Sequence, residues 1–221
     1  MLTLAYPLGA GVVLPTYFSR IDVFGQANIP DSGPVILAPT HRSRWDGLMI
    51  PYVAGRYATG RDLRYMVTID EMQGFQGWLI RQMGGFAINQ QHPTVATFRK
   101  AVEILYNREM MVVFPEGDIF RDRQIHPLKP GLARLALQAE SIDQNLNVQV
   151  VPVAINYEPG IPCLGAQVQV RIGQPLKASD YCPRAMDQDS ASRKQFKQAA
   201  RTLTADLSDS LFDLNRQSAF A

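Results

Sequence analysis

His41 and Asp46, in the stretch APTHRSRWDG, are residue types at a spacing that supports acid–base chemistry. An imidazole takes a proton from a hydroxyl near neutral pH, and a carboxylate on its other nitrogen fixes the tautomer and steadies the imidazolium. Five residues of helix turn through about 500°, which leaves the two side chains roughly 140° apart. The pair therefore meets only if His41 precedes a helix and Asp46 lies in its first turn. Ser43 and Asp46 also fit the S-x-x-D capping box, in which the carboxylate reaches back to a backbone N–H. That role is structural and involves no chemistry.

Two further loops carry polar residues suited to a ligand. In FPEGDIFRDR, Pro115 ends strand pairing and Gly117 permits a positive φ or a close backbone approach. Glu116 sits in the turn, and Arg121 offers a planar fork to a phosphate or carboxylate. The alternating signs of Asp118, Arg121, Asp122 and Arg123 fit a polar turn with internal ion pairs as well. The loop INQQHP brings Asn89, and Arg42 and Arg44 flank His41 either as cations for a ligand or as solvated side chains.

Each of these loops follows an apolar run that reads as a strand: PVILAP, GGFAIN and MMVVFPEG. RIDVFG, RYMVT, VQVVPVAINY and AQVQVRIG also read as strands, the last alternating with period two. Helices are expected over WDGLMIPYVAGRY, EMQGFQGWLIRQMG, PTVATFRKAVEILYNRE with Pro93 near its start, and KPGLARLALQAE. A long amphipathic helix is expected over 190–217, where Phe196, Ala200, Leu203, Leu207, Leu211 and Leu214 form one apolar stripe suited to the core. The alternation implies an α/β fold: a single domain with a central mostly parallel or mixed sheet flanked by helices. In such sheets, loops beyond the strand ends share one crevice.

The 221 residues suffice for one domain with an ample core, and a net charge of +2 is too small to indicate nucleic-acid binding. Cys163 and Cys182 lack metal-ligand spacing and read as reduced thiols, and the three histidines form no metal motif. Residues 1–19 contain no charged side chain. A straight helix of that length would reach about 28 Å, against about 30 Å of bilayer hydrocarbon. Pro7, Pro15, Gly9 and Gly11 interrupt it, so the segment reads as a docking helix on the core or as a membrane-interface segment. No basic stretch precedes it, so a signal peptide is not expected. Residues 20–221 then form the main domain.

HRSRWD, GGFAIN, FPEGDIFR and VVPVAI follow one another in the order and approximate spacing of the four motifs of the glycerolipid acyltransferases. The chain thus resembles the H-x4-D family that includes 1-acylglycerol-3-phosphate acyltransferases, over about Arg20 to Gln174. The resemblance implies a glycerol-3-phosphate acyltransferase-like fold. It makes His41 the general base on an acceptor hydroxyl that attacks the thioester of acyl-CoA or acyl-carrier protein, with Asp46 holding the base. Backbone amides or arginines would stabilise the oxyanion. Substrate binding would fall to Arg44, Asn89, Glu116, Gly117 and Arg121, and Pro152 of the fourth motif would serve the acyl donor. No cofactor and no metal is implied. Two departures concern the acceptor: Gln90 follows Asn89 where the family has arginine, and Asp118-Ile119-Phe120 replaces Thr-Arg-Ser. Arg121, aided by Arg42 or Arg44, is expected to take over the anion.

The partners so implied are a membrane lipid acceptor, an acyl carrier and a membrane surface, with peripheral or monotopic attachment at the cytoplasmic face. Phosphatidic acid synthesis from 1-acylglycerol-3-phosphate is the leading activity. Another lysolipid acceptor, or lipid binding without catalysis, are the rivals. A His–Asp hydrolase is a third reading, weakened by the lack of any serine in a G-x-S-x-G elbow.

Overall fold

The apolar runs assemble into one eight-stranded sheet in the computed structural model, which describes residues 9–88, 95–143, 145–182, 190–218 and 220. The strands are β1 (Arg20–Phe24), β2 (Val35–Pro39), β3 (Leu63–Thr68), β4 (Gly85–Ile88), β5 (Met110–Val112), β6 (Gln149–Glu158), β7 (Gln167–Ile172) and β8 (Leu176–Lys177). Their order is β1-β7-β6-β2-β5-β3-β4, with β8 on β6. The five strands from β6 to β4 run parallel, β7 is antiparallel to β6, and β1 is parallel to β7. The fold is thus the expected α/β class with a mixed, mostly parallel sheet.

Strand order explains where a ligand site must lie. From β2 the chain crosses to β3 on one side, and from β5 it crosses back to β6 on the other. The carboxyl ends of β2 and β5 therefore border the point where the winding reverses, and a crevice opens there.

Alternation along β2 divides the core into two layers. Val35 and Leu37 face Met49, Ile50 and Val53 of α2 (Asp46–Ala54). Ile36 and Ala38 face α5 (Val95–Tyr106), α6 (Gly131–Ile142) and α7 (Ser190–Arg216). In α7, Ala200, Leu203, Leu207 and Leu211 are buried, as the stripe required. Among the described residues no helix is long and apolar enough to cross a membrane.

Several boundaries differ from expectation. The helix after His41 divides at Gly55, where the backbone turns extended, into α2 and α3 (Arg56–Thr59). The next begins only at α4 (Gly74–Gln82), because Ile69–Met72 forms a tighter 3₁₀ turn first. Strand β8 is two residues long, too short for any periodic signal. Pro93 lies outside the described residues.

The amino-terminal segment docks in part. A wide helical turn at Gly9–Val13 leads into α1 (Leu14–Tyr17). Leu14 and Phe18 are buried, and Tyr17 and Phe18 meet Trp45 at ring-centroid distances of 4.1 and 5.4 Å. Val12 and Val13 remain exposed.

Candidate active site

Helix α2 begins at Asp46 and His41 precedes it, the one arrangement in which the pair can meet. His41 Nδ1 and Asp46 Oδ2 are 2.9 Å apart. The same oxygen accepts the backbone N–H groups of Arg42 at 2.7 Å and Ser43 at 2.8 Å. The capping role and the histidine-holding role thus belong to one carboxylate, which is fully buried. Hydrogen bonds to a charged acceptor contribute about 1.5–3 kcal/mol each. The loop is therefore fixed at its helix junction.

Asp46 Oδ1 accepts the hydroxyl of Tyr157 at 2.6 Å. Burial pushes the Tyr157 phenol well above its ordinary range, and the Asp46 charge adds to the effect, so it stays a neutral donor. The strand register explains its reach. β6 pairs with β2 through Val153 and then continues to Glu158, and Tyr157 packs in the α2 layer beside the helix start. The sequence reading missed Tyr157, which lies 111 residues from its partner in an apolar run.

With Oδ2 serving as an acceptor, His41 Nδ1 carries the hydrogen and Nε2 keeps its lone pair. Phe114 stacks on the ring with centroids 3.9 Å apart and planes 21° apart, which fixes one face. The side chain retains 19% exposure.

Glu116 serves the backbone. Its Oε2 accepts the N–H of His41 at 2.9 Å, and Oε1 accepts the N–H of His126 at 3.0 Å. Arg42 Nη1 bonds both oxygens at 2.9 and 3.1 Å, and its Nη2 reaches the Gln124 carbonyl at 2.8 Å. Both side chains are buried, at 3% exposure for Arg42 and 2% for Glu116. Arg42 is accordingly not a spare cation for a ligand anion, and the Glu116 carboxylate is occupied in positioning His41. Phe120 N–H donates to the His41 carbonyl at 2.9 Å, so the β5 loop clasps the histidine on both backbone groups.

The other expected residues divide. Gly117 takes φ +74°, a conformation that favours glycine, while the nearest atoms to a Cβ there belong to the flexible end of Lys129, which can move aside. Arg44 is exposed and pairs with Glu71 at 3.0 Å. Arg121 is exposed, directly after Phe120, and forms no salt bridge with a described residue. Arg123 instead pairs with Glu158. Pro152 is buried inside β6, opposite Ala38 and against Gly173, and offers no surface for a donor. Asn89 and Gln90 lie outside the described residues.

Met49 is sealed in the core, whereas Phe75 is 78% exposed. A second histidine pair, His126 Nε2 with Asp122 at 2.9 Å, stacks on Phe120 at the crevice edge. Desolvation opposes ionisation of Asp122, but hydrogen bonds from His126 and the Gln124 N–H outweigh it and hold the carboxyl below its usual range. Among the described residues, no three His, Cys, Asp or Glu side chains gather as metal ligands would.

Comparison with known proteins fits this geometry. A family model described as Acyltransferase matches residues 20–156. The glycerol-3-phosphate acyltransferase of Alteromonas mediterranea is 32% identical over 135 residues, and that of Pseudoalteromonas atlantica 29% over 136. Each match covers 56% of this chain and only 16% of the relative. The crystal structure of the 1-acyl-sn-glycerophosphate acyltransferase from Thermotoga maritima superposes with a TM-score of 0.62 at 19% identity. It covers 94% of this chain and 78% of that one, and the likeness is one of fold.

Proposed function

Because the chain belongs to the acyltransferase family, we propose that it moves a fatty acyl group from an acyl thioester to the hydroxyl of a lysophospholipid in glycerolipid synthesis. The observation that carries this reading is a histidine held on Nδ1 by a buried carboxylate, with Nε2 left to take a proton. His41 Nε2 removes the proton as the acceptor oxygen adds to the thioester carbonyl. Asp46 stabilises the imidazolium. Collapse of the tetrahedral intermediate breaks the C–S bond, and the departing thiolate takes the proton from His41. No acyl-enzyme, cofactor or metal enters this sequence.

The acceptor we favour is 1-acylglycerol-3-phosphate, giving phosphatidic acid, with acyl-CoA or acyl-carrier protein as donor. Glycerol 3-phosphate is the second reading, supported by the names of the sequence relatives. Arg121 is the cation we assign to the acceptor phosphate, now without help from Arg42. Asn89 and Gly117 complete the acceptor side, and attachment to the membrane is peripheral or monotopic, at the cytoplasmic face.

The test crosses acyl-CoA and acyl-carrier protein with phosphorylated and neutral lyso-acceptors. Wild type should release thiol and form ester, and His41→Ala should abolish both while still binding lipid. Binding without any transfer by wild type would favour a non-catalytic lipid-binding protein. If Arg121→Ala lost no more activity on phosphorylated than on neutral acceptors, its assignment would be wrong.

A further inference from the structure

Helix α4 is built inside out. Its one fully buried residue is Gly77, whose absent Cβ would lie 2.0 Å from the carbonyl oxygen of Met72 in the preceding turn, and Ile80 packs half-buried toward Gly85. Its other large apolar side chains point outward at i, i+3 and i+4: Phe75 is 78% exposed, Trp78 49% and Leu79 38%. Phe75 and Trp78 stack on one another with centroids 5.6 Å apart. A helix serving only the core shows the reverse pattern.

The helix lies beside the catalytic loop. Glu71 accepts Arg44 from the His41 loop and also bonds Gln76 on α4. More exposed apolar residues share this end of the sheet. Ile161 and Leu164 occupy the hairpin beyond β6, which runs past the end of β2. Val12 precedes β1, whose first residue pairs with the start of β7 at the same end. Exposed apolar residues at the opposite end, such as Ile142, stand singly on separate elements.

On this rim Arg44 pairs with Glu71 and Arg123 with Glu158, and Arg121 is exposed without a salt bridge to a described residue. Such a surface meets a headgroup layer without net repulsion, and aromatic side chains favour the boundary between headgroups and acyl chains. We propose that this rim, led by Phe75 and Trp78, rests on the phospholipid bilayer and places the crevice over the layer that holds the acceptor. The proposal rests on the acyltransferase reading for its purpose, and its test does not require turnover.

The full-length chain is to be sedimented with phosphatidylcholine vesicles, with and without phosphatidylglycerol, at low and high salt. Binding should persist on neutral vesicles and at high salt. Phe75→Ser/Trp78→Ser should lower partition about tenfold or more, as loss of inserted apolar area requires, while Ile142→Ser should not. Phe75→Ser alone, at a site too exposed to affect folding, should give an intermediate loss. Transfer to a water-soluble short-chain acceptor should survive in all these variants. Absence of vesicle binding by wild type, binding lost at high salt, or equal partition of the double variant would each overturn the proposal. Vesicle binding by a wild type inactive on every acceptor would instead sink the reaction assigned above and leave the rim standing.

Discussion

The Arg42–Glu116 pair gives the sharpest quantitative test of how His41 is held. Both side chains are at least nine-tenths buried, and Arg42 Nε has no acceptor among the described residues, so desolvation is incompletely offset. Glu116→Gln removes the counter-charge but leaves the guanidinium enclosed, which costs about 3–5 kcal/mol. Arg42→Met leaves a carboxylate that still has two backbone N–H donors, so it should fall at the low end of that range, about 3 kcal/mol. In Arg42→Met/Glu116→Gln no charge is buried. The remaining loss is one backbone N–H without an acceptor, about 1–3 kcal/mol. The double variant should therefore be more stable than Glu116→Gln, with a coupling of at least about 3 kcal/mol. Urea unfolding of the four proteins at one temperature measures it. Turnover of the double variant, assayed where it is folded, should still drop, because a single amide oxygen cannot serve both the His41 N–H and the His126 N–H. Losses that simply add, within about 0.5 kcal/mol, would refute the view of the pair as a buried, mutually dependent unit.

Tyr157→Phe removes one hydrogen bond to a buried carboxylate and should lower stability by about 1.5–3 kcal/mol. Turnover measured where the variant is folded separates this from a purely structural effect: it should fall, because Asp46 loses one of the contacts that fix it against His41. Gly77→Ala forces a Cβ into the Met72 backbone and should cost about 1–3 kcal/mol in thermal or urea unfolding. Alkaline stability follows from the two raised phenols. Burial, then the hydrogen bond to Asp206, pushes Tyr181 up to about 12, and Tyr157 is also raised. A folded-state value above the unfolded one means stability holds below about pH 10 and declines from pH 10 to 12. Tyr181→Phe should flatten that decline only slightly, since solvent screens the partly exposed pair.

Local pattern made much of this molecule legible, and long-range register hid the rest. The strand PVILAP, the helix starting at Asp46 and the stripe of α7 each follow from periodicity within a dozen residues. Helix geometry set the condition for the His41–Asp46 meeting, that His41 precede the helix, and the four ordered motifs made that meeting expected. Tyr157 could not be read in this way, because it reaches Asp46 only through the parallel pairing of β6 with β2. Arg42 was misplaced for a similar reason: beside His41 it resembles a solvated cation, and only the fold brings Glu116 and the Gln124 carbonyl around it. Pro152 lies in a recognisable motif, yet the centre of a sheet encloses it. The reversed direction of β1 and β7 leaves no mark in either strand's own alternation.

The two strands flanking β2 hold the histidine by different handles, β6 through Tyr157 and Asp46, β5 through Glu116 and the Phe120 amide. Neither handle touches Nε2. On the proposed reading, rigidity and selectivity would be inherited from separate parts of the chain: interior sheet neighbours would hold the base ready, and the surface loop around Arg121 would select what is presented to it. Such a division lets a lineage exchange one alcohol for another by altering loop residues while the proton-taking apparatus passes on unchanged.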